Sequence, residues 1–266
     1  MPSCLRSPTF LSGAGARTAV RSWAIVSIVC FRLPYNGVVG RLFASAAFLL
    51  LFAADPRENE RRAMVQKQIE TRGVKDPRVL QALRQTPRHE FVPSELQAHA
   101  YEDRPLPIGQ RQTISQPYIV ALMTELLEVE PRHKVLEVGT GSGYQAAVLS
   151  PLLGRLYSIE IVPELARAAE KTLTRLGYKN VTVRLGDGYQ GWPEEAPFDR
   201  IILTAAPPEI PQALVDQLRP GGRMVAPVGE GDRQQLVVLE KQMNGKLQRR
   251  TAIPVVFVPM VRGTKP

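Results

Sequence analysis

The sequence predicts an α/β fold: a doubly wound, mostly parallel sheet with an N-terminal helical subdomain. Three observations carry that expectation. Val135-Leu136-Glu137-Val138 is an apolar strand running directly into glycines at alternate positions, Gly139, Gly141 and Gly143. Without a Cβ such a loop turns sharply and lets a ligand approach the backbone, and a helix opening at Tyr144 would point unpaired N–H groups at it. A second apolar stretch, residues 156–159, closes on Glu160, seventeen residues after Gly143, where a strand–helix–strand unit brings a carboxylate to ribose hydroxyls. Beyond it, strand-like and helix-like segments alternate to residue 228, the pattern of a parallel sheet covered by helices.

Residues 1–54 form a hydrophobic leader with two apolar runs, 23–31 and 42–54, each shorter than the roughly 20 residues a membrane span needs. The second follows Arg41 and ends in Ala53-Ala54, which suits a signal segment, although Leu51 or Phe52 would fill the small-residue position before the cut. A start codon assigned too early is the alternative, and the fold is read without this segment.

Residues 55–130 make a helical, substrate-loop region. Ala63, Met64 and Ile69 among charges predict a helix over 56–72 stopped by Gly73. Asp76-Pro77 reads as the cap and first-turn proline of a helix ending near Gln85. Ser94 is expected to cap a short helix, Pro105, Pro107 and Gly109 to keep 101–113 a loop, and Ile119, Leu122, Met123, Leu126 and Leu127 to mark a helix over 117–129. Residues 131–230 hold the glycine-loop core, with strands at 134–138, 156–160, 181–185, 198–204 and 223–228 and helices at 144–153, 163–176 and 211–218. Residues 231–266 supply closing strands, 235–240 and 246–258. Asp199, at the start of its strand, is read as structural.

At 266 residues and 44% apolar content, the chain can bury one α/β core. The net charge of +9 is uneven: residues 1–54 carry Arg6, Arg17, Arg21, Arg32 and Arg41 and no acid, leaving +4 for the remainder. No basic stripe with interleaved aromatics accompanies it, so nucleic acid is not an expected partner. Cys4 and Cys30 are the only cysteines, and His89, His99 and His133 lack ligand spacing. Neither thiolate chemistry nor a metal site is expected.

The glycine loop admits two registers. Gly141-Ser142-Gly143-Tyr144-Gln145-Ala146 satisfies the G-x-G-x-x-A dinucleotide pattern, but leaves Gly139 and Glu137 without a role. Read from Glu137 as E-x-G-x-G-x-G, all four positions are used. In that register the loop resembles the first motif of the class I S-adenosylmethionine-dependent methyltransferases, a Rossmann-like family. The resemblance implies S-adenosyl-L-methionine as cofactor, with Glu137 facing its cationic end, Glu160 its ribose, and Asp187 with Gly188 its adenine.

Gln112-Thr113-Ile114-Ser115-Gln116-Pro117, Arg88-His89-Glu90-Phe91-Val92-Pro93, Ala100-Tyr101-Glu102-Asp103, Thr204-Ala205-Ala206-Pro207-Pro208 and Val258-Pro259 narrow the likeness. Together they resemble the protein-L-isoaspartate O-methyltransferases over residues 56–261. The resemblance implies methyl esterification of the free α-carboxyl group of L-isoaspartyl residues, after which the ester closes to a succinimide that reopens partly as aspartate. It assigns Ser115 as the catalytic residue beside the methyl group and substrate carboxylate. It also implies Thr113, Ile114, Gln116, Gly139, Thr140, Gly141 and Gly143 for the cofactor, and Ala205, Val258 and Pro259 beside Ser115 for the substrate. From its residues alone, Ser115 is equally a helix cap ahead of Gln116-Pro117. Arg111 departs from the family, which commonly has Gly there.

Isoaspartyl-containing proteins and peptides are therefore the expected partners of a metal-independent monomer in the cytoplasm, with export as the alternative if residues 1–54 direct it. An NAD-linked oxidoreductase and a methyltransferase acting on another carboxylate or an amine remain competing functions. The first lacks a second-half cofactor pattern, and the amine-binding Asn/Asp-Pro-Pro-Tyr motif is replaced by Ala205-Ala206-Pro207-Pro208.

Overall fold

The computed structural model describes residues 57–263; the leader and its candidate cleavage site lie outside the described residues. Helix α1 (Glu58–Met64) continues through a wider turn at Val65–Ile69 and a tighter one at Glu70–Arg72. It stops at Gly73, whose φ of 95° suits a residue without a Cβ. Helix α2 (Pro77–Gln85) begins as its sequence requires: Asp76 Oδ1 accepts from Arg78 N at 2.8 Å, Pro77 fills the first position, and Val79, Leu80, Ala82 and Leu83 are buried. Ser94 does not cap the short helical segment Ser94–His99; its hydroxyl turns to Glu95 instead.

The stretch expected to be a loop contains an antiparallel hairpin, β1 (Leu106–Gly109) and β2 (Gln112–Ile114). Its turn residues Gln110 and Arg111 have φ of 52° and 57°, the left-handed pair that a two-residue hairpin turn demands. Neither is the glycine or asparagine that signals such a turn, so the sequence hid it.

Helix α3 (Pro117–Leu127) packs on the sheet and is held at its C-terminal end by two arginines. Arg200 Nε donates to Leu127 O at 2.8 Å and Arg223 Nη1 to Leu126 O at 3.1 Å, satisfying carbonyls the helix leaves open.

The main sheet comprises β3 (Lys134–Val138), β4 (Arg155–Glu160), β5 (Val181–Leu185), β6 (Phe198–Leu203), β7 (Leu218–Val228), β8 (Gln234–Lys241) and β9 (Leu247–Val255) in the order β5-β4-β3-β6-β7-β8-β9. The first five strands run parallel; β8 and β9 are antiparallel. Helices α4 (Tyr144–Leu149), α5 (Pro163–Arg175) and α6 (Gln212–Gln217) complete the crossovers. Side chains alternate between two cores: Val135, Leu156, Ile202 and Val225 join the α1–α3 side, whereas Leu136, Tyr157, Ile201 and Met224 join the other. Asp199 is structural, accepting from Lys134 N at 2.6 Å and pairing with Arg219.

Chain order reverses between β3 and β6, so the crevice outside their carboxyl ends is where a doubly wound sheet binds ligands. Gly139 and Thr204 stand at its two sides, and Thr204 N donates to Val138 O at 2.9 Å.

The turn at Arg111 yields a stability test. Arg111→Gly removes the left-handed strain of a side chain at the cost of a more flexible unfolded chain. It should raise unfolding free energy by about 0.5–1 kcal/mol in urea denaturation; a destabilised variant would mean the arginine side chain contributes more than its backbone costs.

Candidate active site

A cleft of about 790 Å3, counted to its open mouth, lies at the crevice. Its floor is Gly139, Thr140, Gly141 and Ser142; Ile159, Glu160, Ile161 and Val162 form one side, and Gln112, Thr113, Ile114 and Ser115 cover it from the hairpin. Gly188 and Met260 line the remainder with Thr204, Ala205, Val258 and Pro259. A Cβ on Gly141 would sit 3.6 Å from Ile108 Cδ1, so the hairpin packs directly over the glycine loop.

The loop's shape has identifiable causes. Gly139, at φ 99°, has no room for a Cβ, which would fall 2.4 Å from Thr204 Oγ1. Gly139 N and Thr140 N both donate to Ile159 O, at 2.8 and 3.2 Å. Glu160 then staples the turn: its Oε2 accepts from Gly141 N at 2.7 Å, and its Oε1 from Ile161 N and Val162 N at 3.0 Å each. Three of a carboxylate's roughly four acceptor sites are used, leaving one on Oε2 for a ribose hydroxyl. The sequence suggested only the second of these two roles.

Glu137 departs from its expected place. It is fully buried and does not line the cleft, because strand alternation turns it to the α1–α3 side of the sheet, with Val135. Register sets Ser158 opposite it, and Glu137 Oε2 pairs with Ser158 Oγ at 2.5 Å, which pairs with Thr140 Oγ1 at 2.6 Å. Glu137 thus reaches the cleft only through two hydroxyls, and its Oε1 has no hydrogen-bond partner among the described residues. Burial pushes its pKa up to about 8, with the neighbouring Glu160 adding to the rise and the Ser158 hydrogen bond opposing it.

Three other expected residues also sit behind or beside the cleft. Gly143 faces Leu173 and Ala169, where a Cβ would crowd Leu173 at 3.2 Å; it is a packing position. Asp187 Oδ1 caps Tyr189 N at 2.9 Å, while its neighbour Gly188 lines the cleft and could not carry a Cβ, which would lie 2.3 Å from Val138 Cγ1. Gln116 borders a second cleft.

That second cleft adjoins the first and shares Thr113, Ser115, Thr204 and Val258 with it. Its own walls include Gln116 and Ile119 on one side and residues 253–257 on the other. Ser115 is therefore common to both spaces, its hydroxyl without a hydrogen-bond partner among the described residues. It is not the cap of α3. Gln116 holds the cap position, and the acceptor comes from outside: Asp103 Oδ1 takes Tyr118 N at 3.3 Å, while Gln116 Nε2 donates to Asp103 Oδ2 at 2.7 Å and Asp103 O at 3.0 Å. The far wall is docked by main-chain bonds, Ala206 N to Val258 O at 2.9 Å and Met260 N to Ala206 O at 2.8 Å.

Arg88 gives the Arg-x-x-Phe-Val-Pro segment a physical purpose. Fully buried, it donates from Nε to Ala100 O at 2.8 Å and lies 4.7 Å above the Tyr144 ring, against which Phe91 packs edge-on. Burial lowers its pKa to about 10, so it stays a cation and steadies the ring that opens α4.

The raised Glu137 pKa makes a pH prediction. The folded chain keeps a proton that the unfolded chain releases above the ordinary carboxyl value of 4.5. Stability from this group is therefore full in acid and lost as pH climbs through about 8. Glu137→Gln, neutral throughout, should gain stability relative to the parent between pH 4.5 and 8, read as a widening difference in melting temperature. A constant difference would mean Glu137 is ionised at neutral pH.

A profile of the protein-L-isoaspartate(D-aspartate) O-methyltransferase family matches residues 59–265. A protein-L-isoaspartate O-methyltransferase of a Synechococcus strain is 56% identical over 216 residues, covering 79% of this chain and 88% of the relative. One from Methanoculleus marisnigri is 54% identical over 208 residues, covering 78% and 94%. A solved protein-L-isoaspartate O-methyltransferase structure superposes with a TM-score of 0.69 at 30% identity, over 76% of this chain and 65% of that one. A Plasmodium falciparum chain solved with S-adenosyl-L-homocysteine shares the fold, with a TM-score of 0.66 at 24% identity. With the profile spanning most of its length and relatives above 50% identity, the chain belongs to the protein-L-isoaspartate(D-aspartate) O-methyltransferase family.

Proposed function

We propose that this chain transfers the methyl group of S-adenosyl-L-methionine to the free α-carboxyl group of L-isoaspartyl residues in damaged proteins and peptides, initiating their repair to aspartate. The observation that carries this reading is Ser115, whose hydroxyl, without a partner among the described residues, borders both the glycine-loop cleft and the adjoining open cleft.

The residues present fit the cofactor. Gly139 and Gly188 line the cleft where any Cβ would collide with its walls, so only glycine lets the chain follow this path around the site. Ile159, Ile161, Val162 and Met260 give an apolar face for a heterocycle, and Glu160 keeps one acceptor site for a ribose hydroxyl. When bound, S-adenosyl-L-methionine supplies a methyl group activated by a sulfonium centre, so the protein need not generate an electrophile.

Nor does it need a general base. A free α-carboxyl has a pKa of roughly 3.5 and is ionised at neutral pH. The Ser115 hydroxyl donates a hydrogen bond to one carboxylate oxygen and leaves the other to attack, while residues 113–116 exclude water from one side. Holding the nucleophile in line at short range supplies most of the rate enhancement. Aspartate in a normal linkage presents its side-chain carboxyl on a different branch, with the main chain continuing where the free α-carboxyl would be, so the same turn discriminates against it.

The enzyme in this reading is a metal-independent monomer of the cytoplasm. Among the described residues no group of three or more His, Cys, Asp or Glu could hold a metal ion, and no helix is long and apolar enough to cross a membrane.

Incubation with methyl-labelled S-adenosyl-L-methionine and paired peptides differing only in an isoaspartyl or aspartyl linkage should place base-labile label on the isoaspartyl peptide alone. Label on both, or base-stable label, contradicts the assignment. Ser115→Ala should reduce kcat by on the order of 100-fold, the cost of a misplaced nucleophile, with the cofactor Kd unchanged. A parallel loss of cofactor affinity would make the serine a structural residue instead.

A further inference from the structure

The open cleft carries one charge on each wall, and neither belongs to the machinery described above. Arg72 ends the N-terminal helical segment and is immobilised from two directions. Its Nη1 donates to Asp103 Oδ2 at 2.7 Å, and its guanidinium carbon lies 3.4 Å from the centroid of the Tyr118 ring. Its Nε and Nη2 have no acceptor among the described residues, and its side chain is 44% exposed. A guanidinium stacked and anchored in this way has already lost its rotamer freedom, so pairing it with an incoming carboxylate carries little further entropic cost. Through Asp103 and Gln116 it belongs to the wall that bears Ser115.

Asp232 stands on the other wall, in the loop between β7 and β8. It is exposed and makes no ion pair among the described residues. Its loop is tied to that wall by the buried Gln234, whose Nε2 donates to both Gly231 O and Phe257 O at 3.0 Å and whose Oε1 accepts Phe257 N at 2.7 Å.

We infer that Arg72 and Asp232 are specificity-determining residues that read the charges flanking the isoaspartate, Arg72 favouring an acidic residue on one side and Asp232 a basic residue on the other. The inference rests on the isoaspartyl reading of the cleft. Arg72 is suited to a flanking carboxylate rather than the reacting one, because a bidentate guanidinium on the nucleophile would withdraw the charge that drives attack. Half-exposed pairs of this kind are individually weak and screened by salt, so they select among substrates without setting the basal rate.

The test uses isoaspartyl hexapeptides carrying Glu or Lys at each of the two positions on either side, with kcat/KM measured for the full chain, Arg72→Glu and Asp232→Lys. The parent should prefer Glu over Lys by about threefold to fivefold on one side and Lys over Glu on the other. Arg72→Glu should invert the first preference and Asp232→Lys the second, both contrasts fading at 0.5–1 M salt, where the Debye length is only roughly 3–4 Å. The Glu-to-Lys ratio is insensitive to any uniform loss of activity caused by breaking the Arg72–Asp103 contact, and Asp232, having no partner among the described residues, provides an independent arm. Ratios that are the same in all three proteins overturn the inference while leaving the isoaspartyl activity standing. Failure of the parent to methylate any isoaspartyl peptide overturns both.

Discussion

One carboxylate, Asp103, holds the reactive turn in place. It accepts the Gln116 side-chain amide and the Tyr118 backbone N–H, and it pairs with Arg72. The first two of these bonds do for α3 what a serine cap would have done, and so release Ser115 from that duty. A hydroxyl that caps a helix has its oxygen committed to backbone N–H groups; one relieved of capping keeps its acceptor and donor for a ligand. The Gln116 and Tyr118 contacts fix residues 113–116 above the glycine loop, where Ile108 from β1 closes the space over Gly141. In the proposed reaction, chemistry at this site depends on that placement more than on any unusual reactivity of a side chain.

Beneath the turn, the sheet supplies the other half of the geometry. The reversal of strand order between β3 and β6 opens the crevice, and Glu160 shapes its floor by gathering three backbone N–H groups from two successive loops. Behind it, Glu137, Ser158 and Thr140 form a buried polar file from core to cleft. A buried acid with one unpartnered oxygen is costly, and here the cost falls directly under the glycine loop, where a bound cofactor would sit. Arg88 and Phe91 brace Tyr144 from the opposite side, so the loop is held at both ends.

Much of this was legible in the residues. Periodicity placed the five parallel strands and their helices, and the caps at Asp76 and Gly73 emerged as read. The hairpin was not legible, since Gln110 and Arg111 adopt left-handed backbone without being residues that prefer it. Motif spacing located the crevice and gathered Thr113, Ile114, Ser115, Gly139, Thr140, Gly141, Glu160, Gly188, Ala205, Val258 and Pro259 around it. It also pointed to Glu137, Gly143 and Asp187, which support the cleft from behind or beside it. Spacing reports which loop a residue occupies, not which side of a strand it faces; alternation along β3 would have turned Glu137 away from the loop, and Ser158, a polar residue within the apolar β4, was the available signal for its partner. Asp103 and Arg72 were out of reach, because their roles depend on long-range contacts that no local pattern encodes.

The proposed methyl transfer requires that a substrate carboxylate meets Ser115 at the mouth of the glycine-loop cleft. A crystal structure of the full chain with S-adenosyl-L-homocysteine and an isoaspartyl peptide measures this directly. The expected result is the free α-carboxylate within about 3 Å of Ser115 Oγ, at hydrogen-bond distance, with one oxygen turned toward the cofactor sulfur. A peptide seated away from Ser115, or a cofactor bound where residues 113–116 do not cover it, would contradict the account.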